Sequence, residues 1–310
     1  MSIAARRMQR GHAVSGGGNG PLDRMEQGWA YTRAEAQARS GIARLGLTIN
    51  DMTPYTGSEF IPAGSTLTRR LFTSPVNLRA GGITITESLF RPTVAGGWNI
   101  IMSTNWDTWT APAVKNIIQD CEITGEALSV QNRSQLLGVD GLADVIGCDI
   151  HDVGSGIGIR ASSPTTYATY ITSNVVRDLT SYGDPAGSGN HSDGFTIREY
   201  VAGSGRHVYV RRNWFDCETA NASGAMFLQA QDNIRQITFE YNLFDGGGWN
   251  FTLGDYGSTT YDDIFVNDNR FNPTGFGAAV RSGVAPDQWT NNYRLGASAP
   301  NYAGAVVPMP

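Results

Sequence analysis

The sequence VYVRRNWF, residues 208–215, returns in altered form as ITFEYNLF (237–244) and IFVNDNRF (264–271). In each segment an asparagine stands three positions after one apolar residue and two positions before another. A separation of 27 to 29 residues between these asparagines is too long for hairpins with two-residue turns. It matches one full turn of a parallel β-solenoid, whose stacked coils bury their inward side chains in a continuous core.

The same pattern continues towards the N terminus, with Asn, Cys or Ser at the repeated position. The earlier segments are ITITESLF (83–90), NIIQDCEI (116–123), ADVIGCDI (143–150) and TYITSNVV (169–176). The repeated residues are Ser88, Cys121, Cys148, Asn174, Asn213, Asn242 and Asn269, separated by 33, 27, 26, 39, 29 and 27 residues. We expect them to form an inward ladder at one corner, because amide side chains there can hydrogen-bond the corner backbone and the neighbouring coils.

A second strand follows the ladder position in each later coil. The segments are GIGIR (156–160), GFTIR (194–198), AMFLQ (225–229), NFTLG (250–254) and AAVRS (278–282). Cys148 lies 9 residues before Ile157, whereas Asn174 lies 21 residues before Phe195. The excess, 21 − 9 = 12 residues, predicts one insert at a corner of the 39-residue coil, roughly between Asp178 and Asp193.

Three segments are predicted along the chain. Residues 1–56 form a leader and a short helix suited to docking or capping, residues 57–288 form the parallel β-helix, and residues 289–310 form a cap and an extended tail. The helix is predicted from a capping box that starts at Thr32, with Ala38, Ile42 and Leu45 on one apolar face. Gly46 is expected to end it.

Composition and charge argue against several functions. A net charge of −5 does not suit a general nucleic-acid binder. No apolar run is long enough to span a membrane, and no secretory signal is recognised, so we expect synthesis in the cytoplasm. Three cysteines cannot all pair with one another. We expect Cys121 and Cys148 to be buried free thiols and Cys217 to lie in a loop.

Several stretches resemble a known superfamily: FIPAGSTLTRR (60–70), the Asn-x-Phe corners, NHSDGFTI (190–197) and NLFDGGGWNFTLG (242–254). They look like the right-handed parallel β-helix proteins of the pectate-lyase-like superfamily, in particular those of actinobacteria and of their phages' tails. The resemblance covers roughly residues 57–295 and implies an all-β fold, a right-handed parallel β-helix. It does not fix an activity, because members include lyases, hydrolases and binding proteins. The polygalacturonase Asp motifs and the pectate-lyase calcium cluster are not recognised in the sequence.

Two pairs of residues are predicted as catalytic candidates. His191 and Asp193 lie where the insert rejoins a strand. Alternation places Thr196 and Arg198 outward, and Asp193 is expected at the head of this exposed stripe, where His191 or Asp193 can act as acid or base. The alternative is that they only close the loop. Asp152 and Asp178 each follow a ladder residue by four positions, so they are expected on adjacent coils, where they can share a proton or only bond the corner backbone.

A substrate-binding stripe is predicted at one outward position of successive coils. Its members are Arg160, Arg198, Gln229 and Arg281, with Asp255 beside Gly254. Such a surface suits an extended glycan, and the arginines can pair with acidic sugars bidentately. Trp98, Trp106 and Trp109 lie in an irregular stretch and are candidate platforms for a sugar ring. No ligand spacing predicts a metal site, although calcium held by Asp184 and Asp193 is kept as an alternative.

Three functions follow. The first is a phage virion tail protein, of minor-tail or tailspike type, that binds host-surface polysaccharide. Cleavage of that polysaccharide is left open as an additional activity. Its expected partners are the polysaccharide, other tail proteins and two further copies of itself in a homotrimer. The second is a free polysaccharide lyase or glycoside hydrolase. The third is a structural or adhesive β-helix without catalysis.

Overall fold

The computed structural model describes residues 38–161, 167–184, 186–187, 189–200, 207–231, 233–257, 261–283, 285–297 and 302–310, apart from the side chains of Ala230 and Asp255. Within these residues there is one short α-helix, α1 (Val130–Ser134), and two 3-10 turns at Ala43–Leu45 and Ile49–Asp51. The remaining regular structure is β-strand.

The strands are short and follow one another along the whole described chain. They are β1 (Thr53–Pro54), β2 (Thr66–Thr68), β3 (Arg70–Phe72), β4 (Val76–Asn77), β5 (Thr84–Thr86), β6 (Leu89–Phe90), β7 (Asn99–Met102), β8 (Ile117–Gln119), β9 (Glu122–Thr124), β10 (Leu137–Asp140), β11 (Asp144–Ile146), β12 (Asp149–His151), β13 (Ser155–Ala161), β14 (Thr169–Thr172), β15 (Val175–Arg177), β16 (Ser192–Tyr200), β17 (Val208–Arg211), β18 (Trp214–Cys217), β19 (Ala222–Ala230), β20 (Ile234–Glu240), β21 (Leu243–Gly246), β22 (Trp249–Asp255), β23 (Tyr261–Asn267), β24 (Arg270–Asn272), β25 (Gly277–Ser282), β26 (Gln288–Thr290), β27 (Tyr293–Leu295) and β28 (Ala303–Val306).

The pairing of the strands defines three faces. From β2 to β24, each strand pairs in parallel with the strand three places later in the chain, so each coil contributes one strand to each face. Face 1 runs from β2 through β5 to β26, face 2 from β1 through β3 to β28, and face 3 from β4 through β7 to β25. Successive coils stack in this way into one solenoid, and the predicted all-β parallel β-helix is confirmed.

One continuous apolar core fills the solenoid, because the inward residue of each strand stacks on its counterpart in the next coil. On face 1, Ile85 pairs with Ile118, which in turn lies beside Val145. On face 2, the rings of Phe215 and Phe244 stack with centroids 5.9 Å apart. All five side chains are fully buried.

The asparagine ladder is confirmed at the corner between faces 1 and 2. Asn213 Nδ2 donates to Ile171 O and to Asn242 Oδ1, both at 2.9 Å. Its Oδ1 accepts bonds from the backbone N and the Nδ2 of Asn174 at 3.0 and 2.9 Å. The ladder has one further rung, Asn292, which the sequence pattern did not predict.

The residue before each rung adopts a left-handed backbone. Glu87, Asp120, Ser173, Arg212, Tyr241, Asp268 and Asn291 all have φ between 50° and 58°, and Gly147 has φ 63°. This conformation turns the chain through the corner within two residues, which leaves the rung pointing inward. The ladder amide then satisfies the backbone groups that the turn exposes.

The N-terminal helix is not confirmed. Thr32 and the start of the predicted helix lie outside the described residues. Gly41 has φ 61°, which interrupts an α-helix, and the chain continues as the turn Ala43–Leu45. Gly46 ends that turn in a left-handed conformation, as expected for a terminating glycine.

Parallel pairing extends beyond the middle segment predicted from the sequence. At the N-terminal side, β1 pairs with β3 through Thr53 and Arg70. At the C-terminal side, β27 pairs with β24 through Tyr293 and Arg270. The last strand, β28, is antiparallel to β27, and this is the one antiparallel pair among the described strands.

All three cysteines are free and buried. Cys121 and Cys148 occupy the ladder, as expected, and their thiols face backbone carbonyls. The loop prediction for Cys217 is wrong, because Cys217 ends β18 and its thiol lies 3.3 Å from Ser192 O. Burial raises the pKa of the thiols of Cys121 and Cys217.

Candidate functional site

The candidate site lies on the outer side of face 3, around β10, β13, β16 and β19. The inward residues of these strands, such as Val139, Ile157 and Phe195, are in register and form the core. The outward positions carry carboxyl, guanidinium and hydroxyl groups. The faces of a parallel β-helix are rigid, so these groups are held in fixed relative positions.

Asp193 is the most unusual of these residues. It was expected at the head of an exposed stripe, but it is only 7% exposed. A register shift between Ser192 and Asp193 places Asp193 opposite Gly224 of the next coil, in line with the core pair Phe195–Met226. Its backbone N donates to Ser155 Oγ at 3.1 Å.

The Asp193 carboxyl group is enclosed but incompletely paired. Burial raises its pKa to about 7, although Arg198, His191 and a hydrogen bond from Ser223 act in the opposite direction. Within the described residues, its buried Oδ1 has no hydrogen-bond partner. A buried carboxylate oxygen without a partner is costly, so the protonated acid or a bound hydrogen-bond donor is favoured at this position.

Asp140 is a second carboxyl group of raised pKa, and sequence reasoning missed it. Burial raises its pKa to about 6, against a hydrogen bond from Asn99 and the charges of Arg198 and Arg160. The Asn99 Nδ2 to Asp140 Oδ2 distance is 3.2 Å. Arg198 acts on the pKa of both Asp140 and Asp193, so its guanidinium links the two carboxyl groups electrostatically.

A sequence signal for Asp140 did exist. Val139 pairs with Ile157, so β10 is the second strand of the coil that begins at Cys121. From Cys121 to Val139 is 18 residues, against 9 from Cys148 to Ile157, an excess of 18 − 9 = 9. This coil therefore carries a second insert, which contains α1 and ends in the strand that bears Asp140.

Arg160 and Arg198 are not side by side as the stripe requires. A bulge between Ile159 and Arg160 pairs Arg160 with Glu199. Arg160 Nε lies 3.6 Å from Glu199 Oε2, and its guanidinium lies over the Trp109 ring at 4.1 Å from the centroid. Arg198 is exposed beside the bulge.

The rest of the predicted stripe follows face 3 unevenly. Gln229 is half-buried and pairs with Gly254, as predicted. Arg281 is exposed but pairs with Leu253, one position away from the expected partner Gly254. The backbone of Asp255 pairs with Ala230, and its side chain lies outside the described part of the chain.

His191 and the predicted insert border the site. His191 is exposed, and its Nδ1 lies 3.5 Å from Ser223 Oγ. Between β15 and β16 the described residues contain no strand, and Asn190 closes this insert by accepting from Tyr182 N and donating to Thr180 O.

Asp152 and Asp178 are adjacent, as predicted, but each carboxylate forms an ion pair with a basic side chain. Asp152 N donates to Asp178 O at 3.2 Å. The Asp152 carboxylate contacts Arg133 and the ring of His151, each at 2.9 Å, while that of Asp178 contacts Arg177. The hydrogen bond with His151 lowers the pKa of Asp152, which opposes a shared proton at this pair.

His151 is a buried part of this network, not a surface histidine. Its Nε2 lies 3.3 Å from Glu122 Oε1. Burial opposes its charge, but the hydrogen bonds with Asp152 and Glu122 raise its pKa to about 9. The network therefore holds a permanent imidazolium at neutral pH, which is suited to stability and not to proton exchange near pH 7.

An aromatic groove of about 410 Å³ continues the site towards the N-terminal coils. Trp98 and Trp106 line it and are 59% and 46% exposed. The ring centroids of Trp106 and Trp109 are 5.0 Å apart, and the Arg160 guanidinium lies over the Trp109 ring. The predicted tryptophan platforms are thus next to the charged part of face 3.

Two observations on the described residues concern metal ligands and membrane-spanning helices. No group of three or more His, Cys, Asp or Glu side chains there is arranged to hold a metal ion. Asp184 Oδ1 accepts a bond from Ala186 N, which is a local turn contact. None of the described helices is long and apolar enough to cross a bilayer.

Comparison with known protein families finds no matching family, and comparison with curated proteins and with solved structures finds no match either.

Proposed function

We propose that the protein binds an extended polysaccharide along the outer side of face 3 and cleaves it there. The observation that carries the proposal is a pair of carboxyl groups under the electrostatic influence of Arg198: the enclosed Asp193, which is 7% exposed and has a pKa of about 7, and the half-buried Asp140, which has a pKa of about 6. Carboxyl groups whose pKa lies near the working pH are suited to proton transfer.

The two carboxyl groups have different roles in this proposal. At neutral pH Asp193 keeps a substantial protonated fraction and donates a proton to the departing glycosidic oxygen, while Asp140 is mostly ionised and acts as base. Asp140 on β10 is two strand steps from β16, where it is level with Thr196, and Thr196 is three residues along the strand from Asp193. At ~4.8 Å per strand and ~3.3 Å per residue, the backbones of Asp140 and Asp193 are therefore about 14 Å apart. In this proposal Asp140 activates a water, as the base of an inverting hydrolase does, so inversion at the anomeric carbon is the expected stereochemical outcome.

The arginines provide the affinity for an acidic sugar in this proposal. Arg198 is exposed and Arg160 is held by Trp109 and Glu199, so each guanidinium can offer N–H groups to a carboxylate or sulfate. His191 is exposed, with its Nδ1 3.5 Å from Ser223 Oγ, and in this proposal it relays a proton to Asp193.

The test is product formation from a panel of polysaccharides: polygalacturonate, alginate, hyaluronan, mannan and bacterial capsular polymers. Reducing ends without unsaturation indicate hydrolysis, whereas unsaturated ends indicate a lyase. Asp193→Asn and Asp140→Asn are each expected to lower the cleavage rate by about 10²–10⁴-fold while binding persists. Undiminished cleavage by both variants would exclude this site.

A binding-only protein is the second candidate, and the burial of Asp193 favours it, because a 7% exposed side chain offers little surface to a substrate. Binding of a polymer by the wild-type protein without any product at pH 5 to about pH 8 is the outcome that selects it.

A place in a phage tail is also proposed, and it is supported by the sequence resemblance alone. Tail genes on both sides of the coding sequence, and the chain itself in purified virions, would be expected. A homotrimer in light scattering supports the tailspike type, and a monomer counts against it.

A further inference from the structure

The groove beside the candidate site has the character of a binding site of its own. Its floor is formed by Val76 and Met102, which are buried on the paired strands β4 and β7. Its walls include the exposed rings of Phe60, Trp98 and Trp106. Large aromatic side chains clustered in an open concavity mark a ligand site, since isolated proteins seldom expose such patches.

The walls also carry polar groups at the rim. Glu59, Asn77 and Asn99 line the groove, and Glu59 is the one charged residue among its lining residues. Indole faces next to amide and carboxylate groups match a sugar ring, which presents C–H bonds on its faces and hydroxyls on its edge. The lining residues include no cation, and the Arg79 guanidinium that lies 4.7 Å from the centroid of the wall ring Phe60 offsets the charge of Glu59, so the groove suits a neutral sugar.

The groove is continuous with the arginine region of face 3. Asn99 lines the groove and donates to Asp140. Trp106 lines the groove and contacts Trp109, which stacks under Arg160. From β7 to β19 there are four strand steps, about 19 Å at ~4.8 Å each, so one polymer chain can occupy both regions.

We propose that the groove binds a neutral sugar unit of the same polymer whose acidic unit contacts Arg160 and Arg198. The preferred substrate is therefore a heteropolysaccharide that combines neutral and acidic units, and not a homopolymer of uronic acid. This inference rests on the proposed function, because it deepens the substrate class of the same surface.

The experiment compares the affinity of the wild-type protein for hyaluronan, which alternates neutral and acidic units, with that for polygalacturonate and for mannan. Polymers of matched length are titrated while tryptophan fluorescence is recorded. Hyaluronan is expected to bind most tightly. Replacing both groove tryptophans, in Trp98→Ala/Trp106→Ala, is expected to weaken hyaluronan binding about tenfold, which corresponds to about 1.4 kcal/mol. Polygalacturonate binding is expected to change by less than about twofold in this variant, since stacking is lost only in the groove.

Two further variants separate a lost contact from a lost fold. Trp98→Phe/Trp106→Phe keeps aromatic faces and is expected to retain most of the affinity. Phe276 is 81% exposed on the chain outside the groove, so Phe276→Ala is the matched aromatic control and should bind like the wild type. Circular dichroism checks that each variant keeps its β structure.

Each outcome decides a separate point. The inference would be overturned, and the proposed function left standing, if Trp98→Ala/Trp106→Ala bound hyaluronan as tightly as the wild type. The same holds if the variant lost equal affinity for hyaluronan and polygalacturonate, or if its molecular mass in light scattering differed from that of the wild type. If the wild-type protein binds none of the three polymers, both this inference and the proposed function are overturned.

Discussion

Replacement of Asp193 by asparagine should change the pH dependence of stability in a way that reports on the candidate site directly. The pKa of Asp193 is raised from 3.8 to about 7, which corresponds to about 4 kcal/mol at roughly 1.4 kcal/mol per pH unit. Asparagine has a similar shape but stays neutral, so the variant does not bear the cost of a buried charge.

The sign follows from proton binding. Below pH 3.8 the carboxyl group is protonated in the folded and the unfolded protein, and the stabilising effect of the raised pKa is fully present. Between pH 3.8 and about 7 the unfolded chain loses the proton while the folded protein keeps it, so the free energy of unfolding falls as pH rises. Above about pH 7 the loss is complete.

The assay is urea unfolding of the wild type and of Asp193→Asn between about pH 4 and about pH 8, followed by circular dichroism. The free energy of unfolding of the variant minus that of the wild type should rise by up to about 4 kcal/mol over this interval. Other titrating groups, such as Asp245 and His151, are present in both proteins and cancel in the difference. A constant difference across the interval would show that Asp193 is not enclosed as described, and the acid role would fall with it.

Asp152→Asn provides a contrast of opposite sign. The hydrogen bond with His151 lowers the pKa of Asp152, so the folded protein is stabilised above pH 3.8 and loses this contribution as pH falls through the lowered pKa. The variant should therefore be less stable than the wild type at neutral pH and approach it in acid.

The structure makes three further predictions about stability and reactivity. Asn213→Ala removes four buried hydrogen bonds and should lower the free energy of unfolding by about 4 kcal/mol, at about 1 kcal/mol per bond. The control Asn272→Ala loses one bond, to Asp245, and should lower the free energy of unfolding by about 1 kcal/mol in the same urea assay. Equal losses in the two variants would contradict the ladder. Gly194→Ala places a Cβ 2.5 Å from Ala225 O and should cost about 1–3 kcal/mol, while Gly187→Ala meets only an ordinary contact at 3.7 Å and should be nearly neutral in thermal unfolding. The thiols of Cys121, Cys148 and Cys217 should resist a thiol reagent in the folded protein and react together in urea, and rapid modification of any one without urea would contradict their burial.

The repeat was readable from sequence because a solenoid ties spacing to geometry. Coils of 27 to 29 residues bring Asn213, Asn242 and Asn269 to one corner, and their side-chain chemistry is needed there whatever the rest of the coil contains. The insert between Asp178 and Asp193 was readable for the same reason, since it is a departure from a constant count.

The outward stripe was less predictable. Strand alternation places Arg160 and Arg198 outward only while the register holds, and a bulge at Arg160 shifts the pairing by one position. Asp193 shares its parity with the inward residues Phe195 and Ile197, so alternation did not support an exposed position for it. A bulge leaves no mark in the hydrophobic pattern, because the inward pairs Ile157–Phe195 and Ile159–Ile197 are kept. Asp140 was missed because its coil carries its own insert and was not counted in register.

The sequence alone determined the parallel β-helix, its asparagine ladder and the position of the long insert, because these depend on the type and spacing of residues along the chain. The tertiary structure decided which carboxyl groups are enclosed and which are paired. Asp193 and Asp152 carry the same carboxyl side chain, yet burial between β13 and β19 raises the pKa of the first, and His151 lowers the pKa of the second. The ionisation of a carboxyl group is set by its neighbours in space, and the neighbours of both lie on other coils as well as their own.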